Sequence, residues 1–144
     1  MPGREVGDYM TRDVVTLLDT DTLRAAVELE IRRKVRHMPV LDANGALVGI
    51  VTDRDIKRAL PTPLSPPTPD EYEYLLDETL VGRVMTREPY TVGPGTPIAD
   101  AIEKLLDQKI GGLPVVDAGV LVGMFTQSDA LRGFVALLKE TPGS

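Results

Sequence analysis

The feature that most constrains this chain is an internal repeat. Residues 6–12 are similar to residues 81–87, and both segments contain Met-Thr-Arg at an offset of 75 residues. Later in the repeat Gly49 aligns with Gly123, an offset of 74, because one turn is a residue shorter. A register held over such a length indicates duplication. The sequence therefore predicts two similar structural units within 144 residues.

Both repeats show the same helix pattern near their beginning. Leu23, Val27 and Ile31 recur at four-residue steps, which predicts an amphipathic helix with Asp21 as its N-cap. In the second repeat Thr96 is the predicted cap and Pro97 the predicted first helical residue. An apolar stripe follows there as well, as expected for a helix that packs on a core.

A β-hairpin and a second helix are predicted after the first helix of each repeat. Asn44-Gly45 is a strong tight-turn signal, because both residues tolerate positive φ. The predicted strands are 38–41 and 46–51, with 113–116 and 120–125 as their counterparts. The last helices are predicted to start at Thr52 and Thr126 and to run to about Leu60 and Lys139.

These patterns predict a mixed α/β (α+β) fold made of two repeats, each roughly β-α-β-β-α. The predicted boundaries are 1–60 for the first repeat, 61–80 for an insert and 81–140 for the second repeat. Each repeat alone is too small to bury both faces of its sheet, so the two are expected to pack together.

The insert differs in composition from both repeats. Residues 61–80 hold five of the 12 prolines and five acidic residues, and they contain no Lys or Arg. The first part is typical of an extended loop. From Pro69 through Leu80 a short helix is one interpretation, because Asp70 stands near its start and an apolar side follows. A mobile linker over the whole insert is the other.

Composition excludes several function classes. With no Cys and one His, the chain has no disulfide framework, thiolate metal site, cysteine nucleophile or multi-histidine site. The net charge of -6 argues against a general nucleic-acid surface. No apolar run approaches the ~20 residues of a membrane span, and the N-terminus has no signal-peptide pattern, so a soluble cytoplasmic protein is expected. Most of the acidity lies in the insert, and the two repeats are close to neutral.

The sharpest repeated motif is Gly-x-x-Thr-x-x-Asp, at residues 49–55 and 123–129. One interpretation is a capping box, in which Thr and the acidic residue satisfy free amides at a helix start. The other is a ligand site. A helix N-terminus attracts anions, and an adjacent carboxylate can accept hydrogen bonds from the cis-hydroxyls of a ribose. One residue can serve both roles.

Three repeated features together resemble those of a known family. They are the Met-Thr openings, both Gly-x-x-Thr-x-x-Asp motifs, and the strands His37-Met38-Pro39-Val40-Leu41-Asp42 and Leu113-Pro114-Val115-Val116-Asp117. With these features the chain resembles a tandem pair of CBS domains, also called a Bateman module. The resemblance implies a pseudo-twofold pair packed sheet to sheet. It also implies two clefts that take adenosine compounds, such as AMP, ADP, ATP or S-adenosylmethionine, and frequent assembly into a disc-like homodimer.

The resemblance also implies roles for individual residues, position by position. Asp55 and Asp129 would hold ribose hydroxyls, and Thr52 and Thr126 would contact ribose or phosphate. The base or phosphate side would be lined by Thr16 and Thr91, with neighbouring backbone at Val14, Val15 and Tyr90.

The two motifs differ in the charges that flank them. Arg54, Arg36 and His37 flank strand ends at the first motif and are predicted to favour a polyphosphate there, whereas the second repeat has Ser128 and the pair 111–112, both Gly. Arg32 and Arg33 are better explained as cations that complement the helix dipole. Gly111 and Gly112 either admit a ligand closely or end a helix.

The leading hypothesis is a non-catalytic sensor of adenosine compounds that changes shape or partner affinity. The alternative is a dimerisation or scaffold module whose motifs only cap helices. The sequence predicts no enzyme and no catalytic cofactor or metal, because it lacks a nucleophile signature and a phosphate-binding Gly-x-x-x-x-Gly-Lys loop. A homodimer is expected, without membrane or nucleic acid, and the sequence leaves open both a regulated partner protein and a self-contained sensor role.

Overall fold

Two structural units account for the residues that the computed structural model describes, 4–61 and 66–140. One unit takes its described residues from 15–89 and contains Asp55; we call it the Asp55 unit. The other combines residues 4–14 with residues 90–140 and contains Asp129; we call it the Asp129 unit. Each unit thus holds one of the two Gly-x-x-Thr-x-x-Asp motifs.

The Asp55 unit is built on a four-stranded sheet in the order β1-β2-β3-β4. Strand β1 runs parallel to β2, and the remaining pairs are antiparallel. Buried apolar residues of the helices and strands form its core. Its elements, in chain order, are β1 (Leu17–Leu18), α1 (Leu23–Arg33), β2 (His37–Leu41), β3 (Leu47–Thr52), α2 (Asp53–Ala59), α3 (Pro69–Glu78), α4 (Val81–Val84) and β4 (Thr86–Arg87).

The Asp129 unit repeats this plan around an antiparallel hairpin. A 3-10 turn at Val6–Asp8 opens it, and Val92 pairs with Val115 in a parallel bridge at the position of β1. Its core contains Leu113 and Phe125, both fully buried. Its named elements are α5 (Ile98–Gln108), β5 (Gly112–Asp117), β6 (Val120–Thr126) and α6 (Gln127–Lys139).

The opening segment of each repeat packs within the unit that holds the other repeat's motif. Thr11 forms a bridge with Met124 of β6, with backbone hydrogen bonds of 2.8 and 2.9 Å. Its counterpart Thr86, in β4, pairs with Ile50 of β3. The compact units therefore do not coincide with the repeats seen in the sequence, because the two opening segments are exchanged.

The element order predicted for each repeat is confirmed, except that the first strand of the second repeat is reduced to the bridge at Val92. The ends of the hairpin strands are shifted by at most one residue. The N-caps predicted for α1 and α5 are wrong. Thr22 caps α1 through a hydrogen bond from Ala25 N, and Pro97 occupies the N-cap of α5. Asp21 instead accepts from Leu18 N at 2.8 Å, and Thr96 accepts from Gly93 N at 3.0 Å. Both side chains therefore close the turn that precedes the helix rather than the helix itself.

The helical interpretation of the insert is confirmed for α3. Thr68 caps this helix, and Pro69 lies in its first turn. Arg24 of α1 pairs with Glu73 and with Asp77, the latter at 2.6 Å, and Leu76 is buried in the core of the Asp55 unit. The extended loop that the sequence predicts before α3 falls partly on residues 62–65, which lie outside the described residues.

Within residues 4–61 and 66–140, no helix combines the length and the apolar content needed to cross a lipid bilayer.

Candidate functional site

The first candidate site lies where β3 ends and α2 begins. Asp55 is 6% exposed, and its Oδ2 accepts hydrogen bonds from Thr52 N at 3.0 Å and from Thr52 Oγ1 at 3.1 Å. In return, Asp55 N donates to Thr52 Oγ1 at 3.2 Å. This reciprocal pair is the capping box that the sequence predicts, and it forms with Asp in place of the usual Glu or Gln.

The second candidate site has the same geometry where β6 meets α6. Asp129 is fully buried, and its Oδ2 accepts from Thr126 N at 2.9 Å and from Thr126 Oγ1 at 3.2 Å. Both motifs therefore place a carboxylate against the first turn of a helix, where free amides and the helix dipole favour negative charge.

Two further residues at these carboxylates were not found by sequence reasoning. Thr86 Oγ1 donates to both oxygens of Asp55, at 3.1 and 3.3 Å, and Thr11 Oγ1 donates to both oxygens of Asp129 at the same two distances. The signal was the Met-Thr pair repeated in both opening segments. It indicated duplication, but the contact depends on the exchange of those segments between the units.

An arginine one turn along each helix faces the same carboxylate. Arg58 Nη1 lies 4.0 Å from Asp55 Oδ1, the edge of ion-pair range. Arg132 forms a closer ion pair and a hydrogen bond with Asp129 Oδ1. The carboxylate of Asp129 is therefore more completely enclosed than that of Asp55.

Arg36 and His37 border the first site at the start of β2. His37 is the cross-strand partner of Thr52, and Asp53 N donates to the Arg36 carbonyl at 3.2 Å. Burial lowers the pKa of His37; the Asp53 carboxylate opposes this effect and the Arg36 guanidinium adds to it. Arg36 and Arg54 are exposed. The structure thus brings three of the predicted cationic or titratable side chains to the region of Thr52.

The second site has glycines at the equivalent strand entry. Gly112 pairs with Thr126, and Gln127 N donates to the Gly111 carbonyl at 3.0 Å. The backbone is the same as at the first site, but it carries no side-chain charge at these two positions. The flanking asymmetry predicted from the sequence is therefore present in the geometry.

Glu30 of α1 is another residue that sequence reasoning missed. Burial raises its pKa, as does the nearby Asp53 carboxylate, whereas Lys57 and Arg36 act in the opposite direction. Its Oε2 is buried without a hydrogen-bond partner among the described residues. The aligned residue of the second repeat is Leu105, which is part of the apolar core. The difference between Glu30 and the aligned Leu105 could have indicated this residue from the sequence. It marks a polar cluster in the Asp55 unit.

Thr16 and Val15 precede β1 in the Asp55 unit. Because β1 runs parallel to β2 with Leu17 opposite Val40, these two residues lie beside the beginning of β2. His37 begins β2 and Thr52 ends β3, so Thr16, His37 and Thr52 occupy the same end of the sheet. Thr16 is exposed and Val15 is half-buried.

Tyr90 and Thr91 are arranged differently in the Asp129 unit. Lys104 of α5 lies 5.9 Å from the centre of the Tyr90 ring, and its Nζ donates to the Thr91 carbonyl at 3.4 Å. Thr91 lines an open groove of about 660 Å³ between α5 and the turn of the β5–β6 hairpin. The described residues that line this groove do not include Thr126 or Asp129, so it does not unite the predicted members of the second site.

The fold and the candidate sites define a duplicated module of two α+β units, each with a helix-capping Thr-Asp motif at the end of a strand. The family model described as "CBS domain" matches the chain twice, at residues 6–62 and 81–136. The chain belongs to the CBS domain family, and the predicted tandem pair is confirmed.

Three relatives illustrate this membership. A CBS domain-containing protein of Dictyostelium discoideum is 33% identical over 139 residues, which is 95% of each chain. The structure of CBSX2 in complex with AMP, an Arabidopsis thaliana protein, is 32% identical with a TM-score of 0.77, covering 94% of this chain and 98% of that one. The CBS domain pair of protein MJ0100, in complex with 5'-methylthioadenosine and S-adenosyl-L-methionine, is 27% identical with a TM-score of 0.75, covering 92% and 97%. CBS pairs are generally regulatory modules.

Proposed function

We propose that this chain is a non-catalytic regulatory module that binds an adenosine-containing ligand, AMP, ADP, ATP or S-adenosylmethionine, and responds by changing its conformation or its affinity for a regulated protein. The observation that carries the proposal is the Asp55 carboxylate, held against the start of α2 at the sheet end where Thr16, Arg36 and His37 also lie. The AMP complex of CBSX2 and the complexes of MJ0100 support this ligand class.

Each residue of this site suits one part of such a ligand. The Asp55 carboxylate accepts hydrogen bonds, as the cis-hydroxyls of a ribose require. Amide groups at the start of α2 and the exposed guanidinium of Arg54 donate to phosphate oxygens. Thr16 and Val15 would line the side on which the base lies. The proposed second site uses Asp129 and Thr126, with Thr91 and the backbone of Tyr90.

The two sites should differ in their preference for phosphate. Arg36, Arg54 and His37 lie near the first motif, whereas Gly111, Gly112 and Ser128 stand at the second. Arg132 is already paired with Asp129. We therefore expect a polyphosphate ligand to bind at Asp55 with higher affinity than at Asp129.

The proposal is tested by calorimetric titration of the four ligands into the wild-type chain, Asp55→Asn, Asp129→Asn and the double variant. Asn keeps the size of the side chain and removes its charge, so circular dichroism should show retained folding. Asp117→Asn, an exposed position outside both sites, is the matched control. We expect at least a tenfold loss of affinity in Asp55→Asn and none in the control. Unchanged binding in the double variant would overturn the site assignment.

A second function, dimerisation, is favoured by one observation on α6. Leu131, Phe134, Val135 and Leu138 fall on one side of this helix, and each is about half exposed or more. In the other repeat, Leu60 aligns with Phe134 and packs into a core cluster together with Tyr72 and Leu76 of α3. The described part of the Asp129 unit contains no such covering helix. A second copy of the chain fits this stripe, because identical apolar stripes are self-complementary about a twofold axis.

The homodimer is tested by light scattering coupled to size exclusion, with and without AMP. Phe134→Glu combined with Leu138→Glu should convert a dimer to a monomer. Tyr74→Glu changes an even more exposed large side chain outside the stripe and should leave the dimer intact. A dimer that persists in the double variant would exclude this interface. If AMP and the other three ligands fail to bind while the dimer persists in the wild-type chain, the scaffold function replaces the sensor. We also propose a cytoplasmic location, because adenosine compounds of this class are present there.

A further inference from the structure

Both motif carboxylates already have several hydrogen-bond donors within the protein. Oδ2 of Asp55 accepts two hydrogen bonds from Thr52, and Oδ1 of Asp55 accepts a hydrogen bond of 3.1 Å from the Thr86 hydroxyl. A carboxylate offers about four acceptor positions in total. The two donors of Thr52 and the hydroxyl of Thr86 take three of these positions, so a ligand diol that donates both of its hydroxyls to Asp55 must replace one of the three donors.

The threonine of the opening segment is the donor that a ligand can replace. Thr52 belongs to the capping box of α2, so its removal would leave the helix start unsatisfied. Thr86 is an exposed residue, whereas the Asp55 carboxylate to which its hydroxyl donates belongs to a buried residue. The same holds for Thr11, which is exposed, and for the buried Asp129. Each hydroxyl occupies a position that a ligand hydroxyl would need.

Each hydroxyl fastens the end of its opening segment. The earlier part of each segment is held by buried apolar residues, Val6 and Met10 in one and Val81 and Met85 in the other. The ends have fewer contacts. Strand β4 is two residues long and pairs with β3 at Gly49 and Ile50. Thr11 is joined to β6 by a single bridge at Met124. The hydrogen bond from each threonine to a charged carboxylate therefore adds to the few contacts that hold the end of its opening segment.

We propose that Thr86 and Thr11 are internal competitors of the ligand: each hydroxyl must leave its carboxylate when an adenosine compound binds, which loosens the end of the opening segment that carries it. This inference rests on the proposed ligand-binding function and adds to it the mechanism by which binding changes the conformation. The coupling runs within each unit, from Asp55 to β4 and from Asp129 to the segment around Thr11.

Competition predicts that removing the hydroxyl strengthens ligand binding. In Thr86→Val the side chain keeps its shape but no longer donates, so a ligand diol meets a vacant acceptor. We expect AMP affinity at the Asp55 site to rise about tenfold, the factor that corresponds to a hydrogen bond to a charged group that no longer has to be broken. Thr86→Ser retains the hydroxyl and should bind AMP as the wild-type chain does. Thr11→Val and Thr11→Ser test the Asp129 site in the same way.

The titrations are made with AMP on the full chain, and the direction of the change separates competition from a purely structural role. If Thr86 merely orients Asp55 for the ligand, Thr86→Val will bind AMP more weakly and Thr86→Ser will restore binding. That result, or an unchanged affinity in Thr86→Val, would overturn the inference while the proposed function stands. Absence of binding of AMP, ADP, ATP and S-adenosylmethionine in the wild-type chain and in all four variants would overturn the proposed function itself.

A measurement on the unmodified chain keeps the inference testable if a valine variant fails to fold. Hydrogen exchange should show that saturating AMP lowers the amide protection of residues 85–87, because β4 has lost its side-chain attachment. The β2–β3 hairpin should keep its protection or gain some. Increased protection of residues 85–87 upon AMP binding would contradict competition.

Discussion

A single carboxylate in each unit combines a structural and a proposed chemical task. Asp129 is fully buried, and the donors that surround it come from the helix start, from the opening segment and from Arg132. A buried charge is tolerated only when it is paired and hydrogen-bonded in this way. The Thr-x-x-Asp spacing predicts the capping half of this arrangement from local sequence. The contact with Thr11 could not be predicted, because it joins residues 118 positions apart.

The glycine of each motif is required by close approach of the opening segment. A Cβ on Gly123 would lie 2.7 Å from the Thr11 carbonyl oxygen, and a Cβ on Gly49 would lie 2.9 Å from the Thr86 carbonyl oxygen. We expect Gly123→Ala and Gly49→Ala each to destabilise the fold by about 1 to 3 kcal/mol, as overpacking does. Urea unfolding measures the loss. Gly95→Ala meets only the Glu5 carboxylate at 3.8 Å and serves as the control; an equal loss there would refute the steric explanation.

His37 should make stability depend on pH near neutrality. Its folded pKa lies below the value of about 6.5 found in an unfolded chain, because the neutral imidazole is favoured by burial. The contribution to stability is therefore present above pH 6.5 and is lost as pH falls through the lowered folded pKa. We expect His37→Gln to flatten the decline of the melting temperature on the acid side of pH 6.5.

The charged neighbours of His37 determine the control for this experiment. Asp53 and Arg36 act directly on its pKa, and Glu30 lies in the same cluster with Lys57. Glu30 affects the pH dependence of stability in the opposite direction to His37. Because its pKa is raised in the folded state, its contribution to stability is present below pH about 4.5 and is lost as pH rises through the pKa of the folded state. The titration is therefore repeated in Glu30→Gln. An acid decline that is identical with and without His37 would show that the imidazole is not its source. As the chain has one His, its NMR titration can be assigned without ambiguity.

At the scale of elements, local sequence was informative wherever an element is stabilised by its own pattern. The spacing of Leu23, Val27 and Ile31 and the Asn44-Gly45 turn predict α1 and the β2–β3 hairpin. The helix caps were misplaced, because Asp21 and Thr96 suit a turn as well as a cap. Whether the insert forms a helix could not be decided locally, since α3 depends on tertiary contacts with α1.

Leu76 should account for most of the attachment of α3. It is 5% exposed, whereas the ion pairs of Arg24 lie at the surface, where such pairs contribute little. We expect Leu76→Ala to lower the free energy of unfolding by about 2 to 5 kcal/mol and to increase hydrogen exchange within α3. Tyr74→Ala, at an exposed position of the same helix, should stay within about 0.5 kcal/mol. A similar loss in both variants would show that helix propensity, not packing, controls α3.

At the scale of the whole molecule, the repeat in the sequence predicts two units but not the path of the chain between them. The self-similarity of residues 6–12 and 81–87 shows that these segments play equivalent parts. It cannot show which unit each opening segment joins. An equivalent pair of contacts forms whether each segment packs with its own repeat or with the other one. The structure resolves this: residues 4–14 join residues 90–140, and residues 81–89 join residues 15–61.

The exchange predicts which segments lose protection together. Leu113 and its counterpart Met38 are fully buried in the cores of the Asp129 and Asp55 units, respectively. In Leu113→Ala, hydrogen exchange should increase in β5 and β6 and also in residues 6–12. Residues 81–87 should be unaffected. Met38→Ala should give the reciprocal pattern. If residues 81–87 follow β5 and β6 instead, the division into the two units described above is incorrect.

The exchanged opening segments also bear on how such a chain can be divided. In a polypeptide carrying only one repeat, the surface beside Gly49 or Gly123 would lack the segment that covers it. Its own opening segment is the replacement it carries, and in the present chain that segment is used by the other unit. Two single-repeat chains could reproduce this arrangement by swapping those segments, as domain-swapped dimers do. Because both repeats lie in one chain, the two opening segments are exchanged within a single molecule. Separate single-repeat chains would have to exchange them between two molecules.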